Sequence, residues 1–168
     1  GYLSGDLEGI HYSSGSMFID AGADLYFGGL VGYVGGSVRN VSYLGESLSV
    51  TAGWDLYFGG IVGCGRAMSD AEASLSDVTL KANKVYYGGM AGKATDVSNA
   101  VSTVLHSMNV SASSVFFGGI AGEASEIINV TANLPALLVD GSTVYIGGIA
   151  SVAGNIFDAT VYLNGVSV

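Results

Sequence analysis

Two aspartates, Asp24 and Asp55, each open the string Asp-Leu-Tyr-Phe-Gly-Gly. Glycoside hydrolysis needs two carboxyl groups about 5–10 Å apart, and equivalent positions of neighbouring repeats could supply such a pair. The same position in the later copies of the string carries Lys84, Ser114 and Thr143, however. A column that changes sign has the character of a solvated edge and not of a converging acid–base pair. The remaining candidates for nucleophilic chemistry are His11, His106, Ser107 and Cys64, and no spacing among them sets a base beside a nucleophile and an orienting acid. A single cysteine and two histidines give no zinc pattern, and the acids form neither a D-x-D-x-D-G loop nor a glycine-aspartate nonapeptide for calcium. The sequence therefore predicts no catalytic residue, no metal site and no cofactor.

The most suggestive surface feature is aromatic. Tyr26, Tyr57, Tyr86, Phe116 and Tyr145 recur at one position of successive repeats. Rings set one strand apart can stack on each other, or present themselves to a sugar or a neighbouring protein. Three N-glycosylation triplets begin at Asn40, Asn109 and Asn129, and such triplets also arise without purpose in chains rich in Asn, Ser and Thr. The seven threonines form no T-x-T column of the kind a flat ice-binding face requires.

Composition narrows the partners. Net charge is −9, and the five basic residues Arg39, Arg66, Lys81, Lys84 and Lys93 are scattered, so there is no footprint for nucleic acid. With 49% hydrophobic residues the chain is too apolar to remain disordered. Gly or Ser interrupts every apolar stretch, so no transmembrane segment is expected. The absence of an initiator Met and of a signal-peptide pattern leads us to expect a processed form or an excised piece.

These residues must be positioned by the elements that repeat them. DLYFGGLVG at 24–32 returns as DLYFGGIVG at 55–63, then as KVYYGGMAG at 84–92, SVFFGGIAG at 114–122 and TVYIGGIAS at 143–151. A fixed period near 30 marks a solenoid, and Gly-Gly within segments rich in Val, Ser, Thr and Tyr argues for strands over helices. The predicted fold is all-β: a single-domain parallel β-solenoid over 1–168 with about six coils of roughly 30 residues, each holding three strands of about five to seven residues. The repeats fall near 24–54, 55–83, 84–113, 114–142 and 143–168, after a partial coil at 1–23. Three inward columns follow, beginning at Leu25, Phe27 and Leu30 and repeating in each copy. The pairs Gly28-Gly29, Gly59-Gly60, Gly88-Gly89, Gly118-Gly119 and Gly147-Gly148 mark structural bends, where glycine supplies the backbone angles of a bulge and leaves no side chain to meet the next coil.

Gly-Gly-Leu-Val-Gly at 28–32 and Gly-Gly-Ile-Val-Gly at 59–63 resemble the GLUG motif of large bacterial surface and secreted proteins. The later copies depart from it, as in Met90-Ala91-Gly92 and Ile149-Ala150-Ser151. The resemblance implies an extracellular or cell-surface location and a structural or adhesive module without catalytic residues. Open stack ends add the expectation of end-to-end association into fibres, a homopolymer in which each terminus completes the next subunit's ladder. A host or surface glycan or protein is the other expected partner. The alternative is a carbohydrate-binding or carbohydrate-degrading β-helix that uses the exposed aromatic column.

Overall fold

The computed structural model describes Gly1–Val168 and contains strands only. In chain order they are β1 (Tyr2–Leu3), β2 (Leu7–Glu8), β3 (His11–Ser14), β4 (Met17–Ala21), β5 (Leu25–Gly28), β6 (Val31–Val34), β7 (Val38–Ala52) and β8 (Asp55–Gly59). They continue as β9 (Val62–Cys64), β10 (Ala67–Gly88), β11 (Ala91–Lys93), β12 (Asp96–Gly118), β13 (Ala121–Asp140), β14 (Thr143–Gly147) and β15 (Ala150–Ser167). Every pairing is parallel and joins one coil to the next, so the chain is a parallel β-solenoid of about six coils.

The motif forms the first face, where β5, β8, the end of β10, the end of β12 and β14 lie side by side. In that register Gly28, Gly59, Gly88, Gly118 and Gly147 form one file. The chain turns after each of these glycines into the short second face of β6, β9, β11 and the first residues of β13 and β15. The third face carries the longest registers, between β7, β10, β12, β13 and β15. Here the expected run of three short strands per coil is corrected. The third-face strand continues around the next corner into the motif, as in the 22-residue β10 and the 23-residue β12, because inter-coil pairing persists through the corner.

Inward side chains build one core, with Leu56, Val85 and Val115, then Phe58, Tyr87 and Phe117, then Ile61, Met90 and Ile120 fully buried. The outer members of these columns, Leu25, Leu30, Val144 and Ile146, pack against the core and are partly buried, because a coil covers only one side of them. Opposite the motif, Tyr43, Ala73, Ser102 and Ala132 occupy one buried column of the third face.

This column explains the second glycine of each pair. A Cβ on Gly29 would lie 2.3 Å from the Tyr43 ring, one on Gly60 2.7 Å from Ala73 Cβ, and one on Gly119 2.7 Å from Ala132 Cβ. The first glycine is confined by main chain: a Cβ on Gly88 would meet the Ala91 carbonyl oxygen at 1.9 Å and Ala121 Cα at 2.5 Å. None of the ten motif glycines has a positive φ. The backbone-angle part of the expectation is therefore corrected, and it is the close approach of neighbouring backbone that excludes a side chain.

Left-handed backbone occurs elsewhere, at one corner of the third face. Asn40, Asp70, Asn99, Asn129 and Asp158 have φ of 50°, 53°, 48°, 52° and 51°, and Gly9 in the first coil has 69°. Asn and Asp tolerate this region better than other side-chain-bearing residues, so the corner selects them. Their side chains are also joined between coils. Asn99 Nδ2 donates to Asp70 Oδ1 at 3.2 Å, and Asn129 Nδ2 donates to Asn99 Oδ1 at 2.9 Å.

Candidate functional site

The aromatic column of the first face is a continuous stack. Centroids of Tyr26 and Tyr57 are 4.7 Å apart, Tyr57 and Tyr86 4.7 Å, Tyr86 and Phe116 4.8 Å, and Phe116 and Tyr145 5.0 Å, with interplanar angles of 5°, 2°, 12° and 16°. In-register parallel strands about 4.8 Å apart impose this spacing on any repeated ring. Tyr26 and Tyr145 are exposed, while Tyr57, Tyr86 and Phe116 are half-buried. Each inner ring has both faces occupied by its neighbours, so the column offers solvent its edges and phenolic oxygens. At the first-coil end Tyr26 meets Tyr33 edge-on at 6.4 Å, and Tyr33 stacks on Tyr2 at 5.1 Å. A second stack runs inside the core through Phe27, Phe58, Tyr87 and Phe117.

Burial and the neighbouring carboxylates both disfavour ionisation of these phenols. Burial pushes the Tyr57 hydroxyl up to about 12, helped by Tyr86 and Tyr26 and then by the Asp55 and Asp24 carboxylates. The Tyr26 phenol is raised for the same leading reason, with Cys64, Asp24, Asp55 and Tyr33 adding to it.

The acid column sits two residues before the rings, on the same outward side. Asp24 Oδ1 accepts a hydrogen bond from the Asp55 amide at 3.1 Å, and Lys84 Nζ stands 3.8 Å from Asp55 Oδ2 and 5.8 Å over the Tyr86 ring. Lys84 and Ser114, then Ser114 and Thr143, continue the register. The carboxylates are bound into main-chain and ionic contacts with their own neighbours, and no third acid or base converges on them.

The structure brings together one pair that the sequence did not suggest. His11 Nδ1 and Ser42 Oγ lie 2.8 Å apart on the exposed third face, and Glu72 is on the next coil beside Ser42. The interval from 11 to 42 equals the repeat period, the one signal that could have revealed it. Serine chemistry needs an acid on the imidazole and free N–H groups for an oxyanion. Glu72 instead adjoins Ser42, and the Ser42 amide donates to the Ile10 carbonyl at 2.9 Å.

The other sequence candidates are dispersed. His106 is exposed beside Leu105 where the β10–β12 register shifts, and Ser107 donates to Asp77 at 2.5 Å. Cys64 is half-buried on the second face. Burial pushes its thiol up, Lys93 opposes that and Glu123 adds to it, which leaves a weak nucleophile. The Lys93 ammonium hydrogen-bonds Glu123 Oε1 at 2.9 Å, and this bond is the main cause that raises its pKa. Asn40 and Asn129 belong to the left-handed corner, whereas Asn109 sits on a strand between Thr79 and Leu138. No group of three or more His, Cys, Asp or Glu side chains is placed to hold a metal ion. No helix is long and apolar enough to cross a membrane.

The chain matches no protein-family model, no curated protein and no solved structure.

Proposed function

We propose that this chain is a non-enzymatic structural or adhesive repeat module of a secreted or cell-surface protein. One observation carries the reading: the repeated outward side chains are directed at their counterparts in the adjacent coil, ring on ring along the aromatic column and amide on carboxylate or amide at the left-handed corner. Residues spent on inter-coil contacts lengthen and stiffen a stack, and they leave no converging reactive groups. The likeness of residues 28–32 and 59–63 to the GLUG motif of bacterial surface proteins agrees with this role and with an extracellular location.

End-to-end association into fibres belongs to the same proposal. In the last coil Ile156, Val161, Leu163 and Val166 lie in the columns of Ile127, Ala132, Leu134 and Leu137, yet are exposed. In the first coil Leu7 and Met17 lie in the columns of Val38 and Leu48. A second copy stacked in register would set Leu7 against Ile156 and Met17 against Val166, which continues the core. Electron microscopy of concentrated protein tests this. Filaments about one solenoid wide support it, and uniformly monomeric particles over a range of concentration and salt count against it.

A carbohydrate-binding β-helix is the second reading, favoured by the exposed rings of Tyr26 and Tyr145 at the two ends of the column. A glycan array distinguishes the two. Binding that is lost in Tyr26→Ala or Tyr145→Ala would favour recognition over structure.

A further inference from the structure

The only tryptophan, Trp54, is 63% exposed and stacks on no other ring of the chain. It sits at a corner whose length changes along the stack. The corner holds Ala52, Gly53 and Trp54 in this coil and Ala21, Gly22 and Ala23 in the one before, but only Ala82 and Asn83 in the next. The Trp54 carbonyl accepts from both the Asn83 and Lys84 amides, at 3.0 and 3.2 Å. The Ile61 carbonyl makes the same forked contact with Leu30 and Val31, and the Arg66 carbonyl with Thr95 and Asp96, so it is the ordinary corner link between coils. At this corner the indole is left uncovered beside the acid column. Trp54, Asp24, Asp55 and Ala23 line one open cavity of about 510 Å3.

The chemistry of this cavity is specific. It joins an uncovered indole to two carboxylates. Its one ionic partner, Lys84, reaches Asp55 at 3.8 Å from a partly exposed position, a weak contact of the kind a competing cation displaces. Asp24 is paired with no cation. Neutral sugars would use the indole but leave the carboxylate charge unanswered. A simple ammonium would answer the charge but match the flat ring less well. A guanidinium does both, because its plane stacks on an aromatic face while its N–H fork donates to carboxylate oxygens.

We propose that Trp54, Asp24 and Asp55 form a binding site for a guanidinium group, presented as an arginine side chain on an extended basic segment of a partner protein. This site is independent of the structural role above, since a stack can form with or without it.

The single tryptophan makes the test direct. Titrating the intact protein with a tetra-arginine peptide, with Trp54 emission as the signal, should give a saturable change that weakens with added salt. Tetra-lysine should bind at least tenfold more weakly. Asp24→Asn combined with Asp55→Asn should reduce tetra-arginine affinity at least tenfold while the circular dichroism spectrum stays unchanged. Trp54→Phe, followed by calorimetry, should bind with intermediate affinity. The proposal is overturned by a flat titration into the millimolar range, by equal affinity for the two peptides, by undiminished binding in the double variant, or by a response to neutral oligosaccharides alone.

Discussion

Gly89 and Ser102 face each other across the core so closely that a methyl group on the glycine would lie 1.7 Å from the serine oxygen. They sit in the same coil, 13 residues apart in sequence, one on the motif face and one on the third face. The contact joins the two features that define the fold, the glycine file and the small-residue column opposite it. It also leaves Ser102 Oγ buried without a hydrogen-bond partner, and Tyr87 Oη is orphaned in the same coil.

Removing either orphan should stabilise the protein. The neighbouring coils already hold the replacements, since Phe58 and Phe117 flank Tyr87, and Ala73 and Ala132 flank Ser102. Tyr87→Phe and Ser102→Ala are each expected to gain about 1 kcal/mol, the desolvation cost of an unpaired buried hydroxyl. Thermal melts of the two variants read this, and a lower melting temperature in both would contradict it.

The glycines differ in what they tolerate. Gly88→Ala forces a methyl against the Ala91 carbonyl and the Ala121 main chain, which cannot yield as a side-chain end can. A loss of about 3 kcal/mol or more is expected, at the upper end of overpacking effects. Gly22, with nothing within 4 Å of a built Cβ, serves as the control: Gly22→Ala should change stability by less than about 0.5 kcal/mol. Denaturant midpoints for the two variants decide the matter.

How much of this was legible in the sequence depends on whether one residue type repeats. The files of Gly28, Leu25, Phe27 and Tyr26 were readable because nearly the same letters recur at each period, and the structure sets them in register. The left-handed corner was missed because Asn and Asp share its requirement, so Asn40, Asp70, Asn99, Asn129 and Asp158 do not spell a repeat. Two of its members drew attention only as glycosylation triplets. Corner lengths were also hidden. The corner after the Trp54 coil is one residue shorter, an offset that spacing between glycine pairs blends into the period, and the His11–Ser42 contact needed the register itself.

The corner gives a pH-dependent prediction. Asn99→Asp replaces an amide that bridges Asp70 and Asn129 with a carboxylate facing Asp70. Two adjacent like charges raise the folded-state pKa values above those of the unfolded chain. Stability is then lost as pH rises through that range and recovered below it. The variant should be about 1 kcal/mol less stable than the parent at pH 7, with the gap closing towards pH 3. A gap that stays constant with pH would show that the amide geometry, and not charge, is what matters.

Alkaline titration probes the outer aromatic column. The Tyr57 phenol is raised to about 12 in the fold, above its unfolded value near 10. Its contribution to stability is therefore complete below pH 10 and is lost as pH rises towards 12. Tyr57→Phe, which keeps the ring and removes the ionisable group, should retain more of its stability between those values. Melting temperatures of parent and variant from pH 9 to 12 test it, and parallel curves would count against a buried phenol.

Distances between spin labels along one column bear most directly on the central claim, that each coil stacks in parallel register on the last. Phe18, Ser49, Thr79, Asn109, Leu138 and Ser167 occupy successive coils at one outward position. With Cys64 replaced by Ser, labels at Phe18→Cys paired in turn with Asn109→Cys, Leu138→Cys and Ser167→Cys should give separations near 14, 19 and 24 Å, rising by about 4.8 Å per coil. Separations that fail to increase in equal steps, or that place residues 18 and 167 closer than 18 and 109, would contradict the stack.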